Sequence, residues 1–107
     1  MKVYRGEVYY CDLGESKGSV QKGVRPVVVV QNNWGNSVSS TVIVAPVTSK
    51  VDNLPTHVTI KLNSSSVIMT EQLVTVPKSE LQGNPVYYLT SKEITLLDYA
   101  LAVSIGL

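Results

Sequence analysis

Four consecutive valines, Val27 to Val30, follow Arg25-Pro26 and lead into Gln31-Asn32. A run with no polar face reads as a strand covered on both sides, so the rest of the chain must supply a packing layer above it and another below. Pro26 fixes the backbone at the strand entrance and holds Arg25 in extended geometry. Ahead of them lies Gly18-Ser19-Val20-Gln21-Lys22-Gly23, a polar segment with a glycine at each end. An arginine at the end of a rigid element, beside a glycine-flexed loop, is suited to gripping a phosphate. A solvent-facing strand cap is the other reading of the same residue.

At 107 residues the expectation is one domain, residues 1–107, large enough to bury a core without metals or disulfides. With 44% hydrophobic and 16% charged residues and no charge blocks, the composition excludes a disordered chain. No apolar run approaches the roughly 20 residues that span a bilayer, so no membrane association is expected. The N-terminus lacks a basic, apolar leader, and the lone Cys11 has no internal partner; a reduced, cytoplasmic setting follows as the expectation. The net charge of +1 is unevenly spread: residues 1–50 carry six Lys or Arg against three acids, and residues 51–107 carry three against five. Lys17, Lys22 and Arg25 stand together with no acid between them. A local basic loop on a near-neutral protein fits a short single-stranded ligand better than a long duplex.

Along the chain, Glu7 to Leu13 reads as a first strand and Arg25 to Gln31 as the central one. Residues 14–24 are a polar loop, and Asn32 to Ser40, with Gly35-Asn36, is a turn region. Thr41 to Val47 is a buried strand in which Pro46 predicts a bulge or a sheet edge. Thr56 to Leu62 alternates, with Val58, Ile60 and Leu62 on one face. Val67 to Val76 carries Ile68, Met69, Leu73, Val74 and Val76, and Glu71-Gln72 interrupt it, which predicts a bend that presents both side chains. A short helical turn is expected near Ser79 to Leu81. Thr90-Ser91-Lys92-Glu93 matches a capping box, Ile94, Leu97, Leu101 and Ile105 follow at helical spacing, and Gly106 is a stop signal. The fold class is therefore α+β, mainly β: a small barrel or twisted antiparallel sheet packed by a C-terminal helix.

His57 is the only histidine and Cys11 the only cysteine, so no metal site or cofactor motif of recognised spacing can be built. Cys11, inside a strand, reads as a small buried side chain. What remains is Arg25, Thr48, Ser49, Lys50, His57, Glu71 and Gln72, all at strand ends or bends. Gathered on one rim of a barrel, such groups suit electrostatic stabilisation of a phosphorus-centred transition state. Trp34 in the turn region is either exposed or packed at a contact between copies.

The ordered set Arg5-Gly6-Glu7-Val8-Tyr9-Tyr10, Lys17-Gly18-Ser19, Gln21, Arg25-Pro26 with the valine run, Thr41 to Ala45, Thr48-Ser49, Leu54 to Val58, Ser66 to Ile68, Glu71-Gln72 and Ser104 to Leu107 resembles the MazF/PemK family of toxin endoribonucleases. The similarity covers nearly the whole chain. It implies an SH3-like barrel, a homodimer and sequence-selective, metal-independent cleavage of single-stranded RNA, commonly mRNA. The ribose 2′-hydroxyl would attack the adjacent phosphate, leaving a 2′,3′-cyclic phosphate and a 5′-hydroxyl; DNA lacks that nucleophile. Carried onto this chain, Arg25 would stabilise charge on the phosphate or protonate the leaving oxygen, and Thr48 would hold the scissile phosphate or the attacking hydroxyl by hydrogen bonding. Lys17, Ser19, Gln21, Lys22, Ser49, Lys50, His57, Glu71 and Gln72 would line the RNA path. An antitoxin with a disordered acidic tail would cover the basic loop. Two positions depart from the family pattern: Val20 stands where relatives often have glutamate, and Val74 where many have arginine. The rival reading is a toxin fold that acts by binding alone, as gyrase poisons do, or that only binds its antitoxin.

Overall fold

The computed structural model describes residues 1–14, 23–50 and 52–107. Seven strands form one curled sheet: β1 (Glu7–Asp12), β2 (Val24–Val29), β3 (Thr41–Thr48), β4 (His57–Lys61), β5 (Ser65–Met69), β6 (Val74–Pro77) and β7 (Leu81–Tyr88). A short helix α1 (Asn33–Val38) joins β2 to β3, and α2 (Ser91–Ile105) closes the chain. The strands run β4-β5-β3-β2-β1-β7, with β6 also on β3, and every pairing is antiparallel.

The valine run sits where its composition demands. Val27, Val28 and Val29 are each 0% exposed, and they alternate between two cores. Val28 and Val30 pack with Val8, Ala45, Val47, Val58, Ile60 and Ile68 beneath Leu97 and Ala100 of α2. Val27 and Val29 pack on the other face with Tyr9, Cys11, Val42, Val44, Val76 and Leu81. Each valine so buried contributes roughly 1.5–3 kcal/mol.

The curl originates in β3. Its first half, Thr41 to Val44, pairs with β6, and its end, Val47-Thr48, pairs with β5. Pro46 lies in the gap between these two registers, opposite Val27 on β2. The expected edge is thus absent: β3 is an interior strand, and Pro46 is tolerated where one neighbour has ended and the next has not begun.

Three other expectations change. Residues 33–38 are helical rather than a simple turn, because Asn32 caps the helix by accepting from the Gly35 amide at 2.8 Å. Asn36 locks the helix inward, donating to the Gln31 carbonyl at 2.9 Å, while its own carbonyl accepts from Lys78 Nζ. The stretch Val67 to Val76 is two strands separated by a 3₁₀ turn, Thr70–Gln72, at the predicted bend. Strand β7, which the sequence did not announce, follows a second 3₁₀ turn at Lys78–Glu80. Trp34 is 76% exposed.

The C-terminal helix forms as its signals dictate. Thr90 Oγ1 accepts from the Glu93 amide at 3.2 Å, and Glu93 accepts from the Thr90 amide at 2.9 Å. Gly106 ends the helix at φ 78°. The inward stripe runs through Ile94, Leu97, Ala100 and Leu101, but Ile105 is exposed. At that turn Ser104 faces the sheet instead, donating to the Thr70 carbonyl at 2.8 Å. Neither helix is long and apolar enough to cross a membrane.

Candidate nucleic-acid interface and active cleft

Arg25 is the second residue of β2 and Thr48 ends β3, two strands that run antiparallel side by side. Both residues line one surface cleft of about 160 Å³, together with Tyr10, Pro26, Val47, Ser49, the β4–β5 turn residues Leu62, Asn63 and Ser64, and Ser66 of β5. Among these lining residues Arg25 carries the only formal charge, and none is a carboxylate or an imidazole.

Thr48 is 7% exposed, and its hydroxyl is oriented by the turn that follows. Oγ1 accepts from the Lys50 amide at 3.3 Å. With a lone pair occupied, the hydroxyl hydrogen is left to donate, and no described residue accepts it. Ser66 is differently placed: its hydroxyl is engaged with the Ser64 carbonyl at 3.1 Å. The cleft thus joins a guanidinium to a preset O–H donor, a pair suited to an anionic, tetrahedral group.

His57 and Glu71 form a separate cluster. The registers place His57 opposite Met69 and Thr48 opposite Val67. That is two strands across and two residues along, on the order of 12 Å between backbones. His57 Nδ1 donates to the Asp52 carbonyl at 2.9 Å and Nε2 to Glu71 at 3.0 Å. Both partners accept from the ring, an arrangement that favours the imidazolium form. Burial works to lower the His57 pKa, with its side chain 7% exposed, but the Asp52 carbonyl and Glu71 outweigh that and hold it above the usual 6.5. Burial likewise works to raise Glu71, but its hydrogen bonds, with His57 the foremost partner, bring it below the usual 4.5. Thr56 Oγ1 also donates to Glu71, at 2.9 Å.

Ser49 joins the cleft, and exposed Lys50 lies just beyond it. Gln72 sits in the 3₁₀ turn with Glu71, its amide 3.8 Å from Met69 Sδ. Lys17, Ser19, Gln21 and Lys22, with Val20, lie outside the described residues. Tyr10, Asn63, Ser64 and Ser66 were not singled out from sequence. The Asn63-Ser64-Ser65 turn between two alternating segments was the available signal for the last three. Cys11 is fully buried, and burial, then Glu80 and Asp12, push its thiol up to about 11, which leaves it protonated and inert. Among the described residues no three His, Cys, Asp or Glu side chains are grouped to hold a metal ion.

A curled antiparallel sheet with this closing helix has known counterparts. The family of PemK-like, MazF-like toxins of type II toxin–antitoxin systems matches residues 4–105, and the chain belongs to that family. Among solved structures it is similar to an endoribonuclease in complex with its cognate antitoxin from a mycobacterial species, at 28% identity, covering 98% of this chain and 96% of the other with a TM-score of 0.85. A mycobacterial endoribonuclease matches at 26% identity over 100% and 94% of the two chains, TM-score 0.83. MazF from Deinococcus radiodurans shares the fold at 19% identity over 100% and 99%, TM-score 0.85.

Proposed function

We propose that this chain is a toxin endoribonuclease that cuts single-stranded RNA at the cleft between Arg25 and Thr48. In this reading the 2′-oxygen attacks the adjacent phosphorus and loses its proton to water. The bond from phosphorus to the 5′-oxygen breaks, and that oxygen takes a proton from water and leaves as a hydroxyl. Negative charge builds on the non-bridging oxygens, where Arg25 neutralises it and the Thr48 hydroxyl donates a hydrogen bond. The observation that carries this reading is the shared cleft, with the Thr48 oxygen already accepting from Lys50 and its hydrogen left to give. Arginine is a poor proton donor at neutral pH, its pKa being above ~12, so its role is electrostatic. The strand would continue past Ser49 and Lys50 toward His57, Glu71 and Gln72, and Lys17, Ser19, Gln21 and Lys22 would contact it as the family resemblance implies.

The chain would work as one domain, residues 1–107, in the cytoplasm as a homodimer, without metal or cofactor. An antitoxin with an acidic, disordered tail would silence it by covering the basic loop. The test is purified protein on a mixed single-stranded RNA pool in EDTA, with fragment ends mapped. Cyclic phosphate and 5′-hydroxyl ends, lost in Arg25→Ala, are expected; intact RNA hands the reading to a non-catalytic binder.

A further inference from the structure

Tyr10 is a wall shared by two clefts. On one side lie Arg25 and Thr48; on the other is a second cleft of about 140 Å³ lined by Tyr10, Lys61, Leu62, Asn63, Val86 and Tyr87. The two clefts also share Leu62 and Asn63, so they are consecutive chambers of one groove.

The second chamber exists because β7 loses register against β1. Val8 pairs with Tyr87 and Tyr10 with Gln82, so between these pairs one residue of β1, Tyr9, faces four of β7. The surplus falls on Gly83-Asn84-Pro85-Val86, with Gly83 at φ 65°. Where the ladder opens, Tyr10 is left 38% exposed at the mouth of the core, next to the Pro26 it pairs with and hence beside Arg25. The far wall is fixed, since Tyr87 donates to Glu93 of the α2 cap at 2.9 Å.

The polar groups of this chamber are unspent. Among the described residues, no carboxylate lies within ion-pair distance of Lys61, and neither the Asn63 amide nor the Tyr10 hydroxyl makes a hydrogen bond. A half-exposed aromatic face, an amide that both donates and accepts, and an ammonium next to a phosphate-binding cleft match the parts of one nucleotide: ring, base edge and phosphate.

We propose that this second chamber is a nucleotide subsite, in which Tyr10 stacks on the base adjoining the scissile phosphate, Asn63 hydrogen-bonds that base's edge and Lys61 neutralises the next phosphate. The inference rests on the proposed nuclease reading and gives Tyr10 and Asn63 the selection of one base flanking the cut.

The test is a binding cycle that does not require cutting. A short RNA with a 2′-deoxy sugar at the scissile position is compared with the same strand lacking the flanking base, against wild type, Tyr10→Ala and Tyr10→Phe. Removing the ring is expected to raise Kd roughly 5- to 150-fold for the intact strand, the range found for base–aromatic stacking. The same substitution leaves Kd for the abasic strand within about twofold, because the partner is already gone. Tyr10→Phe, which keeps the ring, recovers most of the loss. Asn63→Ala shifts the base preferred at that flanking position in cleavage mapping. An equal loss on both strands, or Tyr10→Phe as weak as Tyr10→Ala, overturns the subsite. A loss seen for an acidic peptide but not for RNA also overturns it, in favour of a protein partner. Wild-type protein that binds in this pattern yet never cuts RNA leaves the subsite standing and removes the nuclease reading instead.

Discussion

At the scale of single residues, Thr48 illustrates how little is needed to make a hydroxyl useful. The Lys50 amide occupies one of its lone pairs and so directs its hydrogen. Thr48→Val, nearly identical in shape, removes that donor and should lower the cleavage rate roughly 10²–10³-fold, whereas Thr48→Ser retains most of it. Single-turnover kinetics on one oligonucleotide distinguishes the two. Gly6 is the second residue on which much rests. It sits at φ 91°, donates its N–H to the Val29 carbonyl at 2.8 Å, and an added Cβ would lie 2.8 Å from Ile94 Cδ1. Gly6→Ala should cost about 2 kcal/mol, from backbone strain and crowding against α2 together. Chemical denaturation reads this directly. Arg25 and Thr48 were legible because both lie at strand ends marked by Pro26 and by the Thr-Ser-Lys turn. Tyr10 was not: its exposure depends on a register slip in β7, a strand rich in Gln, Gly, Asn and Pro that reads locally as a loop.

At the scale of elements, α2 was readable to its ends because each signal is local: a cap, a period and a glycine stop. Thr90→Ala removes half of the capping box and should destabilise the protein by about 0.5–2 kcal/mol, seen as a lower Tm. Helix α1 was hidden for the opposite reason. Six residues are too few to show a period, Gly35-Asn36 imitates a turn, and what holds it is the tertiary burial of Asn36. The His57–Glu71 pair ties the 52–57 segment to the 3₁₀ turn and carries a pH signature. Raised His57 contributes stability in full below pH 6.5 and loses it as pH climbs through its folded value. Lowered Glu71 contributes in full above pH 4.5 and loses it as pH drops through its folded value. The Tm gap between wild type and Glu71→Gln should therefore be widest between about pH 4.5 and 6.5 and narrow in alkaline buffer.

At the scale of the whole molecule, a net charge of +1 conceals a basic end. Lys17, Lys22, Arg25, Lys50 and Lys61 are the cations that the proposed RNA path would use. Engaging three or four phosphates gives a log Kd against log salt slope of about 2 to 3 for a single strand. Lys61→Gln should reduce that slope by about 0.7 and weaken binding most at low salt. An α+β architecture with a two-faced central strand followed from the valine run and the capping box. A small barrel or twisted sheet was expected too, but the place where the sheet curls was not, because it depends on β3 exchanging one neighbour for another at Pro46, a relation between distant segments that no local pattern encodes.

That exchange ties the fate of the two hydrophobic layers together. Since Thr41–Thr48 lies in both, neither layer can open while the other stays closed, and the amide protons of Val42 to Ala45 and of Val47 should trade with deuterium only through complete unfolding. A faster-exchanging subset within this strand would mean that the two halves of the molecule melt separately.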